Sequence, residues 1–212
     1  MSDLGDGLTY QARASVLYFL SDVYLNAPRA DVIETLRSGG LRESWPLDRR
    51  HRDTVAGFER LERFNNDWSP ERMALLEDDY TRLFIGVGKT LAPPYESVYL
   101  SEEHILFERE TLEVRKWYGE YGLQVPHLHV VPDDHIGYEL FFLARLCDRA
   151  ASLLDIGKQE AAAAVVSDSQ RFVDAHPNRW VGLFVDRILE HSETDFYPAI
   201  GLLTRSVLEQ LE

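Results

Sequence analysis

Apolar residues at helical spacing recur through almost the whole chain, and this periodicity limits the fold more than any other feature. In the last segment, Phe196, Ile200, Leu203, Val207 and Leu211 follow intervals of four, three, four and four residues, which place them on one face of a helix. Alternating apolar and polar runs typical of strands are scarce. The sequence therefore predicts an all-α fold, a single globular bundle of about eight or nine helices.

Turn and cap residues divide the chain into the predicted helices. Gly39 and Gly40 are typical of a helix exit, and Ser69 is predicted to cap a helix whose first position is Pro70. The predicted helices span 8–25, 29–37, 47–64, 69–86, a segment from 101 to 119 or 122, 133–156, 158–175 and two more that begin at 177 and 196. Stripes expected to be buried are Ile105, Leu112 and Trp117 in the fifth helix, and Ile136, Leu140, Leu143, Cys147, Ala150 and Leu154 in the sixth.

Chain length and one connection define the expected domain organisation. A chain of 212 residues suits one domain, 1–212, with a full core. Residues 122–132 contain two prolines and no helical stripe, so we expect a hinge there between two halves of the chain.

Composition excludes several classes of protein. A formal net charge of −14 argues against binding to a phosphate backbone, and no apolar run is long enough to span a membrane. The N-terminus has no basic or apolar segment typical of a secretory signal, and the lone Cys147 lies on an apolar helical stripe. We expect a cytoplasmic protein with no nucleic-acid partner and no stable membrane insertion.

An acid–histidine cluster opens the sixth predicted helix. Asp133, Asp134 and His135 lie where free backbone N–H groups favour a side-chain acceptor, so one aspartate is expected to be the N-cap. His127 and His129 lie nearby, and a metal- or nucleotide-dependent hydrolase using the 127–135 region is the alternative function. No second acidic cluster completes a metal shell, so no metal and no other cofactor is expected.

Residues 86–90 resemble the end of a phosphate-binding loop. That loop needs a glycine five residues before Gly88, and this position is Leu83. We therefore expect a glycine-capped helix exit here.

Three segments together resemble the TorD/DmsD family. They are 80–88 (YTRLFIGVG), 92–99 (APPYESVY) and 132–146 (PDDHIGYELFFLARL), and they match the family motifs in order and spacing. Two residues inside these segments depart from the family pattern. Val87 stands where the family has proline, and Val131 stands where it has glutamate.

The resemblance implies a function and a site. Family members are cytoplasmic, all-α, non-enzymatic chaperones that bind the twin-arginine leader of a molybdopterin oxidoreductase subunit and hold that subunit until cofactor insertion, before Tat export. The implied partners are that leader and the catalytic subunit that carries it, and the implied assembly is a monomer or a domain-swapped dimer. Carried onto this chain, the implied peptide-binding residues are Leu83, Phe84, Tyr95, Glu96, Ser97, Asp134 and His135.

Overall fold

A computed structural model describes residues 6–86, 90–100, 109–125 and 132–211, and about three quarters of these residues are helical. Within them, ten α-helices follow one another: α1 (Gly7–Leu25), α2 (Ala30–Arg37), α3 (Arg52–Asp67), α4 (Met73–Tyr80), α5 (Glu96–Leu100), α6 (Arg109–Glu120), α7 (Ile136–Asp155), α8 (Gln159–Ala175), α9 (Pro177–His191) and α10 (Phe196–Glu209). The all-α prediction is confirmed. The count slightly exceeds eight or nine because α5 is a short helix that the periodicity does not reveal.

The core is one cluster of apolar side chains between packed helix pairs. The most extensive pairs are α1 with α7 and α3 with α10, and α7 also packs against α8. Trp180, Tyr24 and Tyr197 are among the largest side chains buried completely. The stripes predicted for α7 and α10 are confirmed, since all their members are buried except Leu154, which is half-buried.

In the first half of the chain, two predicted α-helices start later than expected. The helix predicted over 47–64 begins at Arg52, and Asp48 Oδ1 instead accepts from the backbone N–H of Arg50 at 2.9 Å, which holds a turn. Ser69 makes no capping hydrogen bond, and a 3₁₀ turn (Pro70–Arg72) precedes α4. The predicted helix 69–86 is therefore three pieces, the last a π-helical turn (Thr81–Ile85) that ends at Gly86 with φ of 67°.

The stripe predicted for the fifth helix is wrong at Leu112. This side chain is 59% exposed, and the buried face of α6 carries Thr111, Val114 and Tyr118 instead. Ile105 and the predicted start at 101 lie outside the described residues, as do 126–131 of the predicted hinge. None of the helices in the described ranges is long and apolar enough to cross a membrane.

A close approach between α3 and α10 depends on Gly57. A Cβ atom at this position would lie 2.8 Å from Leu203 Cγ and 3.2 Å from the carbonyl oxygen of Ala199. The two helices can therefore approach this closely only without a side chain at position 57.

We predict that Gly57→Ala lowers the free energy of unfolding by about 1–3 kcal/mol, because the added methyl group pushes α10 away from α3. Gly182→Ala is the control, since Gly182 lies within α9 and a Cβ there meets nothing within 4 Å. That control should stabilise the protein by roughly 0.5–1 kcal/mol, because alanine favours helix over glycine. Urea unfolding measures both, and equal effects would contradict the close approach.

Candidate functional site

The start of α7 meets the proline-containing segment before α5. We call residues 91–97 the strap and residues 133–137 the helix mouth. The backbone N–H of Ile136 donates to the carbonyl of Pro94 at 2.9 Å, and the N–H of Glu96 donates to the carbonyl of Asp134 at 3.0 Å. Tyr95 and His135 thus form an isolated antiparallel bridge. The second and third family segments are joined directly, although 37 residues separate Ser97 from Asp134.

The first family segment also reaches the strap. The N–H groups of Leu91 and Ala92 donate to the carbonyls of Arg82 and Leu83 at 3.2 and 2.8 Å, at the end of the π-helical turn. Leu83 is fully buried and Phe84 nearly so, and the Phe84 ring lies 5.1 Å from the Tyr197 ring and 5.8 Å from the Tyr24 ring. These two implied site residues therefore belong to the core behind the strap.

Asp134 ties three helices together. Its carboxylate is fully buried and accepts from the backbone N–H of Ser97 and from the hydroxyl of Thr111, both at 2.8 Å. The predicted aspartate N-cap is therefore wrong. α7 begins at Ile136, three residues later than expected, because Asp134 faces α5 and α6 instead of its own helix.

His135 is the N-cap of α7. Its Nδ1 accepts from the backbone N–H of Gly137 at 3.0 Å, so this nitrogen carries no proton. The imidazole lies edge-on to the Tyr95 ring, with centroids 5.1 Å apart. Burial lowers the pKa of His135 to about 3, so the ring stays neutral at physiological pH.

Asp133 and Glu96 each have one basic partner. Asp133 forms an ion pair with Arg115 of α6 at 2.6 Å, and its backbone carbonyl accepts from the Tyr118 hydroxyl at 3.1 Å. Glu96 Oε2 lies 2.9 Å from His176 Nδ1, between α8 and α9. Burial raises the pKa of Glu96, although the nearby His176 opposes this shift. The remaining Glu96 oxygen and the Ser97 hydroxyl have no hydrogen-bond partner.

Glu139 is a buried acid that the sequence interpretation did not select. It lies in the first turn of α7 and is 0% exposed, and neither of its carboxyl oxygens has a hydrogen-bond partner. Burial and the carboxyls of Glu96 and Asp134 raise its pKa well above the usual range, which favours its neutral, protonated form. Its spacing could have revealed it, because it lies three residues after Ile136 and four before Leu143, on the buried stripe.

An apolar cavity adjoins the mouth. Its volume is about 240 Å³, and it is lined by Leu25, Tyr118, Leu123, Gln124, Val125, Tyr138, Phe141 and Phe142. Tyr138 connects the cavity to the mouth, since its ring centroid lies 5.7 Å from that of His135. Tyr118 lines the cavity, and burial together with the negative charges of Glu139, Asp133, Asp134 and Glu96 raises the pKa of its hydroxyl.

The residues for the alternative enzymatic function do not assemble in the described part of the chain. No group of three or more potential metal ligands occurs there, and His127 and His129 lie outside it. The left-handed Gly86 ends the π-helical turn as expected, while Gly88 and Lys89 lie outside the described residues. Cys147 is buried, and burial raises its thiol pKa to about 12, which excludes an activated nucleophile.

Comparison with known proteins identifies the family. The model of the nitrate reductase delta subunit family matches residues 51–186, which is more than half of the chain. The chain belongs to this family. The match includes the strap and the mouth, and the family expected from the three segments is confirmed.

Relatives cover the chain almost from end to end. The Tat proofreading chaperone DmsD of Salmonella typhi is 27% identical over 203 residues, which are 96% of this chain and 87% of that protein. The chaperone protein TorD of Vibrio parahaemolyticus is 26% identical over 91% of this chain and 89% of its own length. The crystal structure of a redox enzyme maturation protein from Archaeoglobus fulgidus shares the fold, with a TM-score of 0.54, 21% identity and 93% coverage of both chains.

We predict that His135→Asn makes this family member less sensitive to acid. The folded-state pKa of about 3 lies below the ordinary value of 6.5, so only the unfolded chain binds this proton as the pH falls from 6.5 towards 3. Wild-type stability should fall there by up to about 1.4 kcal/mol per pH unit more than that of the variant. Asparagine keeps an N-cap acceptor. Urea unfolding between pH 7 and 4 measures the difference, and parallel curves would contradict the neutral buried imidazole.

We predict the opposite pH trend for Glu139→Gln. The unfolded Glu139 ionises above its ordinary pKa of 4.5, whereas the folded side chain stays protonated, so wild-type stability falls as pH rises from 4.5 through the folded pKa. The neutral amide removes this loss. The variant should gain stability over wild type by up to about 1.4 kcal/mol per pH unit in that window. Chemical unfolding at pH 5, 6, 7 and 8 measures the gain. Glu160→Gln is the control, because Glu160 is an exposed acid on α8.

Proposed function

We propose that this protein is a non-enzymatic, cytoplasmic chaperone of redox enzyme maturation. It binds the twin-arginine leader of the catalytic subunit of a molybdopterin oxidoreductase and holds that subunit until cofactor insertion, before Tat export. Membership of the family and the chaperone names of two relatives support this proposal. The observation that carries it is the apolar cavity beside the helix mouth, where the second and third family segments are joined by hydrogen bonds.

The cavity suits the apolar part of a leader. Its lining is mainly aromatic and aliphatic, and Phe141 at its edge is 42% exposed. An apolar side chain that leaves water here contributes about 25 cal/mol per Å² of buried surface. We propose that this contact supplies most of the affinity, because pairs of exposed charges contribute only about 0–1 kcal/mol each.

We propose that the strap and the helix mouth together orient the leader. Tyr95 of the strap lies opposite His135 of the mouth, and the backbone N–H groups of Glu96 and Ser97 donate to Asp134 and hold the two segments together. The net charge of −14 attracts a basic peptide, and we propose that the acids near Tyr118 direct its arginines towards the cavity. We propose that Asp134 acts by positioning the mouth, because both of its oxygens already accept hydrogen bonds.

The decisive experiment is a calorimetric titration of the full-length protein with a panel of twin-arginine leader peptides. We expect at least one leader to bind in a defined stoichiometry, and the same leader to bind more weakly when both arginines are replaced by lysine, because lysine cannot form a planar bidentate contact. The proposal fails if no leader binds, or if arginine and lysine leaders bind equally.

We predict that Phe141→Ala weakens binding of that leader by roughly 10-fold, because an aromatic anchor at the cavity edge is lost. Leu183→Ala on α9 is the control, since Leu183 is 53% exposed and does not line the cavity. Circular dichroism should show unchanged helicity in both variants. Equal affinities of the two variants would place the leader elsewhere.

A further inference from the structure

Glu139 is the one acid of the buried cluster that has neither a basic partner nor a donor within hydrogen-bonding distance. Asp133 is paired with Arg115, Glu96 with His176, and Asp134 accepts two hydrogen bonds. Glu139 is completely buried, and both its oxygens lack a hydrogen bond. A buried carboxyl without partners destabilises a fold, and this chain nevertheless retains one next to the mouth.

The surroundings of Glu139 favour the neutral acid, and one added positive charge would favour the carboxylate instead. The indole N–H of Trp180, from α9, lies beside it and is itself buried without an acceptor. Glu96 of α5 and Asp134 of the mouth add negative charge, and Tyr118 of α6 adds a hydroxyl. The basic groups of His176 and Arg179 interact with Glu96 of this cluster. What the cluster lacks is one more positive charge.

The position of Glu139 indicates where that charge comes from. Tyr118 lines the apolar cavity, and its hydroxyl donates to the backbone carbonyl of Asp133 at 3.1 Å. Phe142, which also lines the cavity, lies three residues after Glu139 on α7 and therefore on the same side of that helix. A peptide with an apolar segment in the cavity and an adjacent arginine brings a guanidinium to the Tyr118 ring. A guanidinium is planar, is weakly hydrated for a cation and forms bidentate bonds with carboxylates, so it suits a buried acid better than an ammonium does.

We propose that Glu139 is the arginine-binding residue of the leader site, and that the incoming guanidinium replaces the proton on its carboxyl group. This inference rests on the proposed function. The carboxylic acid releases its proton to solvent, the carboxylate pairs with the guanidinium, and Trp180 Nε1 donates to the same carboxylate. The charge of the site is unchanged by this exchange. Because Glu139 is fully buried, the exchange requires a local opening beside Tyr118.

The experiment measures proton release on leader binding. The leader is titrated calorimetrically at pH 7 in phosphate and in Tris, whose different ionisation enthalpies report the number of protons released. We expect a release that approaches one proton per leader for wild type and for the control Glu160→Gln, and almost none for Glu139→Gln. A leader with citrulline in place of both arginines keeps the shape without the charge, and it should release almost none from wild type.

The affinities give an independent result. Glu139→Gln should weaken binding of the arginine leader about 10- to 100-fold, the range expected for a hydrogen-bonded charge. Its affinity for the citrulline leader should equal that of wild type. Circular dichroism checks folding, and Glu139→Met, a second neutral side chain of similar length, must show the same loss. The inference is overturned if wild type binds the arginine leader while proton release persists in both variants, or if their affinities match that of wild type.

Failure of the proposed function has a different signature. If wild type binds no leader, the function is wrong, and arginine amide at millimolar concentration then tests the cation site alone. Proton release that requires Glu139 would support the site, and its absence would overturn it.

Discussion

The buried carboxylate of Asp134 is the interaction on which the rest of the site depends. It accepts from the first turn of α5 and from α6 while its own backbone carbonyl accepts from the strap. One side chain thus fixes three elements from distant parts of the sequence. Because the Asp134 side chain points towards α5 and α6, the adjacent His135 is the N-cap of α7, and its imidazole is buried against Tyr95. The position of the cavity lining beside the mouth follows from this arrangement.

The site concentrates acids where water is excluded, and each acid is stabilised differently. Asp133 is paired with a guanidinium, Glu96 with an imidazole and Asp134 with two neutral donors, whereas burial favours the protonated form of Glu139. A fourth buried carboxylate without a counterion would cost several kcal/mol, so protonation is the cheaper state.

The sequence predicts the helices better than it predicts the site. The stripes of α7 and α10 follow from the spacing of their residues alone, because burial of a continuous face is a local pattern. Two predictions are wrong for local reasons. The Asp48 side chain holds a turn where a helix was predicted, and Leu112 lies on the exposed face of α6. The contact between strap and mouth could be predicted from the family resemblance, which assigns residues of both segments to one site. The roles of Asp134 and His135, and the isolation of Glu139, depend on partners far away in the sequence, which periodicity does not report.

The strap and the mouth lie on opposite sides of residues 122–132 in the sequence, and this order has a consequence for assembly. If two copies exchange their halves through that connection, every hydrogen bond between strap and mouth is formed between different chains. Each site would then be shared by two subunits, and the number of sites per chain would stay at one. Dissociation of such a dimer would separate the two halves of the site, whereas a monomer keeps both halves in one chain.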